Sequence, residues 1–123
     1  MKLALVVLNY NDADNTLKIL GNVADYDIFD KVILVDNASN DDSRVRLGSF
    51  CEGKNKIHFI ENHENKGYGA GNNIGIAVAK KLGIDLALIA NPDTDFDENV
   101  IRVLKSAMVK NDNIAICAPL VDT

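Results

Sequence analysis

The apolar positions of this chain take two alternating forms: short runs, unbroken except for His58 in the third, and stripes spaced three or four residues apart. The runs are Leu3–Leu8, Val32–Val35, Ile57–Ile60, Leu86–Ala90 and Ile114–Ala118. They read as strands, the first, Leu3–Leu8, as one buried on both faces. Between them lie Leu17, Leu20, Val23 and Ala24; then Val45, Leu47, Phe50 and Cys51; then Ile74, Ala77, Val78 and Leu82; then Val100, Ile101, Leu104, Ala107 and Met108. Each set has the spacing of one helix face. Gly83 stands where the third helix needs a C-terminal residue at positive φ, and Asp97 caps a fourth helix starting near Glu98. Five strands alternating with four helices predict an α/β fold, a doubly wound, mainly parallel sheet, as one domain over residues 1–123.

In such a sheet ligands bind beyond the carboxyl ends of the strands, and there the polar residues collect. The first run leads into Asn9-Tyr10-Asn11-Asp12 and the second into Asp36-Asn37-Ala38-Ser39. The third leads into a long segment from Glu61 to Asn73, and the fourth into Asn91-Pro92-Asp93-Thr94-Asp95. Connecting turns alone do not require so many carboxylates and carboxamides at one edge. A ligand site is expected here.

Composition narrows the ligand. With 13 Lys and Arg against 18 Asp and Glu, the net charge is −5 and the cations are scattered, which disfavours nucleic acid as a partner. A phosphate ligand must then be held locally, by backbone amides, one or two cations or a metal. Cys51 and Cys117 lie far apart among apolar neighbours and read as reduced, buried thiols of a cytoplasmic protein. No run approaches membrane-spanning length, and the N-terminus lacks the pattern of a signal peptide.

Asp93 and Asp95 form a D-x-D spacing suited to a hard cation, Mg²⁺ or Mn²⁺, although Asp95 equally suits a helix cap. Gly67, Gly69 and Gly71 follow a G-x-G-x-G spacing after the third strand, unlike the dinucleotide fingerprint, which follows the first. They are expected to let backbone amides approach a ligand, with the next helix's N-terminus favouring phosphate. Lys66 either adds charge to a diphosphate or is a solvated loop lysine. Asp36 either accepts from a base N–H or forms an Asx-turn into Ser39. His58 reads as a packed or edge side chain. No Ser-His-Asp set, nucleophilic Cys or zinc spacing can be assembled.

Four segments together resemble family 2 glycosyltransferases of the GT-A fold: Val6–Asn11, Val35–Asp41, Glu64–Gly75 and Ala90–Thr94. The Asn-Pro-Asp form looks most like the rhamnosyltransferase and galactofuranosyltransferase branch. The resemblance implies that Asp36 contacts a uracil or thymine ring and that Leu8-Asn9-Tyr10 lines the base pocket, beside Asn37. It further implies that Lys66, Gly67, Gly71 and Asn73 border the nucleotide and its diphosphate. Asn91 falls near the ribose and Asp93 on the metal, a different triplet from the Asp93-Thr94-Asp95 spacing above. Glu98 stands where many members have proline.

The family's general base belongs to a later segment that binds the acceptor. By the resemblance it is expected beyond Thr123, so no catalytic residue is expected among these 123 and the chain alone is expected to be inactive. The expected activity is inverting, metal-dependent transfer from a UDP- or dTDP-sugar to a saccharide or lipid-linked acceptor, in the cytoplasm or at the inner membrane face. With no helix covering the last strand, self-association is expected. A non-catalytic nucleotide-binding module and a nucleotidyltransferase are the rivals. The second usually carries a glycine-rich, basic loop after its first strand, whereas Asn9–Asp14 has no Gly, Lys or Arg.

Overall fold

A computed structural model describes residues 1–93 and 97–110. The elements alternate as expected: β1 (Leu3–Asn9), α1 (Ala13–Val23), β2 (Lys31–Asn37), α2 (Ser43–Cys51), β3 (Ile57–Asn62), α3 (Tyr68–Lys81), β4 (Leu86–Ala90) and α4 (Glu98–Lys110). Among the described residues the sheet has four strands in the order β3-β2-β1-β4. Every pairing is parallel. The expected fifth strand, Ile114–Ala118, lies outside the described residues, as do Asp95 and Cys117. Thr123, beyond which the general base is expected, lies outside them too, and the described residues leave that expectation where the sequence put it.

β1 is the spine: all seven of its residues are buried, because strands flank it and helices cover both its faces. Its register sets which residues share a face. Leu3, Leu5 and Val7 pack with α1, α2 and Ile101 of α4, the larger core. Ala4, Val6 and Leu8 face α3, in a smaller core with Ile33, Val35 and Ala79.

α3 departs from expectation in two ways. It begins at Tyr68, so the last six residues of the Glu61–Asn73 segment, expected as loop, are helix. Its inward face is also only in part the apolar stripe: Gly71, Asn72, Gly75 and Ala79 are buried and Val78 and Leu82 pack half-buried on the smaller core, while Ile74 is exposed. The cause is steric. A Cβ on Gly71 would stand 2.7 Å from Leu8 Cδ1, and one on Gly75 2.7 Å from Val6 Cγ1. Glycine lets the helix backbone lie directly on β1 and β2, and a larger residue would lift it off. In α2 the apolar stripe is likewise incomplete: Leu47 is fully buried but Val45 is 73% exposed. The cap residues hold: Asp97 accepts from the Val100 amide at 2.9 Å, and Gly83 follows α3 at φ 78°.

Candidate nucleotide-binding edge

Two side chains expected to touch the nucleotide, Asp36 and Asn9, belong to an internal hydrogen-bonded hub. Asp36 is fully buried, and both its oxygens are engaged. Oδ1 accepts from Asn9 Nδ2 at 3.0 Å and from Ser39 Oγ at 2.6 Å. Oδ2 accepts from the Ser39 amide at 3.0 Å and from Arg44 Nε at 3.1 Å. The Asx-turn into Ser39 is therefore present, and in this structure four donors within the chain engage the Asp36 carboxylate. Asn9 is equally enclosed, its Oδ1 accepting from Thr16 Oγ1 at 2.6 Å. Leu8 is buried too, its side chain wedged against Gly71.

The hub joins the loops that follow β1 and β2. Asn11, at φ 50°, donates its amide to Ser39 Oγ at 2.9 Å and accepts from the Asn40 amide at 2.9 Å. Ala38 sits opposite at φ 62°, a conformation non-glycine residues rarely adopt. Two left-handed residues held by a shared network fix these loops, leaving Tyr10 half exposed above them.

Beside the hub, Asn37 is the residue that meets open space. A cavity of about 340 Å³ is lined by Asn37, Asn62, Lys66, Ala70, Gly71 and Ile74, among others. Asn37 Nδ2 donates to Asn65 Oδ1 at 3.0 Å and to the Gly67 carbonyl at 3.2 Å, while its Oδ1 accepts from Asn62 Nδ2 at 3.2 Å. The amide cannot turn over without losing all three bonds, so Oδ1 stays an acceptor with a second lone pair. Lys66 stands at the rim, exposed and 3.5 Å from Glu64. Gly67, at φ 102°, starts α3, whose first turn carries no side-chain cap.

Across the sheet, beyond β4, Asn91 and Asp93 are exposed. Tyr68 Oη donates to Asn91 Oδ1, tying the start of α3 to the end of β4. Among the described residues no three His, Cys, Asp or Glu side chains gather as a metal cage. An exposed carboxylate such as Asp93 instead suits a hard cation that keeps most of its shell for phosphate oxygens and water. Asn73 is exposed on α3, whereas its neighbour Asn72 is buried with an unpartnered Oδ1. The sequence placed Asn72 within the Lys66–Asn73 segment expected to border the nucleotide but gave it no role of its own; its place between Gly71 and Gly75, the close-packing pair, is the signal that marks it as inward-facing.

A second cavity, about 630 Å³, runs along the free edge of β4 among the described residues, between α3 and α4. It is larger but apolar, lined by residues such as Ile76, Leu88, Ile89 and Leu104, and carries none of the chemistry above. The carboxyl edge is the candidate site. The strand order reverses there between β1 and β4, the position where open α/β sheets bind ligands.

The chain has counterparts among known proteins. It is 29% identical over 121 residues to the low-salt glycan biosynthesis hexosyltransferase Agl10 of Haloferax volcanii, a match covering 95% of this chain and 36% of that protein. Its fold is similar to the mannosyltransferase PcManGT from Pyrobaculum calidifontis in complex with GDP-Man and Mn²⁺, with TM-score 0.63, 21% identity, and 75% and 27% of the two chains covered. It is also similar to S. aureus TarS in complex with UDP, with TM-score 0.69, 18% identity, and 89% and 32% covered. The chain thus spans about a third of the length of these proteins. The sequence pattern of glycosyl transferase family 2 matches residues 4–122, nearly the whole chain, and the protein belongs to that family.

Proposed function

We propose that this chain is the donor-binding part of an inverting, metal-dependent glycosyltransferase. It takes a UDP- or dTDP-sugar in the cytoplasm, with a rhamnosyl- or galactofuranosyl-type transfer as the branch its Asn91-Pro92-Asp93 segment suggests. The observation that carries the reading is the arrangement at the carboxyl edge. An oriented amide acceptor, Asn37, lines a cavity on one flank, and an exposed carboxylate, Asp93, stands on the other, with the start of α3 between them. A nucleoside diphosphate laid across this edge has its base at Asn37 and its diphosphate toward Asp93.

Each residue then has a chemical task. Asn37 Oδ1 accepts from the N3–H of a pyrimidine dione, and the Asp36 hub holds the loop that presents Asn37. Tyr10 and the Leu8-Asn9 backbone border the base. Lys66, the Gly67 turn and the α3 N-terminus favour the diphosphate, the helix end through its free amides. Gly71 keeps α3 close enough to close the cavity, and Asn73 and Asn91 flank the ribose and diphosphate. A divalent ion on Asp93, Mn²⁺ or Mg²⁺, supplies charge that offsets the departing diphosphate. The saccharide or lipid-linked acceptor and the carboxylate base that deprotonates it are assigned to segments beyond Thr123.

The test is calorimetric titration with UDP, dTDP and CDP, with and without Mn²⁺. UDP or dTDP should bind several-fold more tightly than CDP, because CDP has no N3–H to give the second lone pair of Asn37 Oδ1 and forfeits a hydrogen bond worth about 0.5–1.5 kcal/mol. No Mn²⁺-dependent binding of any of the three, or equal affinity for CDP, would overturn the assignment.

A further inference from the structure

Asn72 is the one polar residue among the buried positions of α3. It is only 5% exposed, and its Oδ1 has no hydrogen-bond partner. Nothing in helix formation asks for it. Asn is a poorer helix former than Ala, and a buried carbonyl without a donor is a standing cost. Such a group is tolerated where something other than the fold uses it.

Its direction follows from its neighbours on the helix. Gly71 and Gly75 face straight onto Leu8 and Val6 of β1. Tyr68, one turn before Asn72, reaches Asn91 beyond β4, and Ile76, one turn after, lines the β4 groove with Ile89. The line Tyr68–Asn72–Ile76 therefore lies on the β4 side of α3. Helix side chains lean toward the N-terminus, so Asn72 leans toward the turn that starts at Tyr68. That turn opens on the crevice between β1 and β4.

We infer that Asn72 hydrogen-bonds a ribose hydroxyl of the donor nucleotide. This rests on the proposed reading, in which the base lies at Asn37 and the diphosphate at Asp93. The sugar joining them must cross the end of β1 beside the first turns of α3. A hydroxyl is also the group that fits the amide: it donates and accepts, so it satisfies Asn72 in either orientation, whereas a phosphate oxygen only accepts.

The experiment titrates the full chain, in Mn²⁺, with UDP, 2′-deoxy-UDP and 3′-deoxy-UDP, and repeats this with Asn72→Ala and the bulkier Asn72→Leu. The unmodified chain should bind one deoxy analogue about tenfold or more weakly than UDP. In both variants that ratio should fall close to one, with UDP itself weakened to the level of the analogue. A loss confined to the 2′ analogue would also assign the donor as a ribonucleotide, UDP over dTDP. A merely structural role for Asn72 would weaken all three ligands together and keep the ratio, which overturns the inference. Equal binding of all three to the unmodified chain overturns it too, while Mn²⁺-dependent UDP binding would leave the proposed function standing. Failure of UDP to bind at all would remove both.

Discussion

Replacing Asp36 with Asn changes one charge and almost no volume, so it isolates the electrostatic work of the buried hub. The carboxylate accepts four hydrogen bonds, two on each oxygen, and an amide has only one oxygen. If that oxygen keeps the Ser39 amide and Arg44, the new NH2 group faces Asn9 Nδ2, a donor against a donor. Asn9 can turn over in response only if the buried Thr16 hydroxyl, which donates to Asn9 Oδ1 at 2.6 Å, reverses to accept and gives up its own donated bond. One orphaned buried donor costs about 1–3 kcal/mol. Weakening a charge-assisted bond to Arg44 adds about 1–2 kcal/mol, at the low end because that side chain is 31% exposed and partly solvated.

The expected loss is therefore about 3 kcal/mol, a large share of the roughly 5–15 kcal/mol that holds a domain of this size together. In urea the midpoint should fall with the slope unchanged, and the melting temperature should drop by about 10 °C. Under native conditions UDP and CDP should lose affinity alike, because the variant loosens the loop that presents Asn37 rather than removing a base contact. The reasoning fails if Asp36→Asn is as stable as the parent and instead erases the preference for UDP over CDP. That outcome would make Asp36 the base-reading residue.

Gly75→Ala should cost about 1–3 kcal/mol by overpacking, since its new methyl meets Val6 at 2.7 Å and Val35 at 3.3 Å. Gly21→Ala, in α1 with nothing within 4 Å, should add about 0.5–1 kcal/mol; equal effects in urea titrations would refute the packing account of α3. Asp93→Asn should keep the fold but weaken Mn²⁺-dependent UDP binding about tenfold, about 1.4 kcal/mol, and unchanged calorimetry would remove the metal from Asp93. Burial raises the Cys51 thiol above its ordinary value, with Lys54 opposing only in part. In a Cys117→Ser background, Cys51 should therefore alkylate more slowly near pH 8 in the folded chain than in urea, and equal rates would contradict its burial.

Much of the fold is legible in the sequence because strands here are apolar runs and each is closed by a polar cluster. Val32–Val35 marks β2, yet the strand extends to Asn37, since Asp36 and Asn37 keep their register against Glu61 and Asn62. Apolar periodicity could not see that extension, because hydrogen bonding rather than hydrophobicity carries it. On α3 it found Val78 and Leu82 but missed the residues packed most tightly, for a related reason. Counting Ile74, Ala77 and Val78 assumes that the largest side chains face inward, but contact with a sheet can be made by backbone where Gly71 and Gly75 clear the way. At the carboxyl edge the residue types pointed to loops that do converge in space, and the roles within them did not follow. Asp36 and Asn37 are adjacent in sequence, yet one is sealed by Asn9, Ser39 and Arg44 while the other lines a cavity. The positions of these three partners, of which only Asn9 is distant in sequence, decide which is which.

The place of β1 between β2 and β4 has a consequence for the order in which the chain assembles. Its pairing with β2 joins Leu5 to Val32, whereas its pairing with β4 joins Leu3 to Leu86, and Lys2 meets Asp85 at the same seam. Loop closure favours the nearer partner first, so β1, β2 and β3 with their helices form a nucleus onto which β4 closes late. The last seam to close is the crevice between β1 and β4 where the strand order reverses. A donor bound as proposed, from Asn37 to Asp93, would tie the early part of the fold to the late part, its binding energy added where the chain is most ready to part.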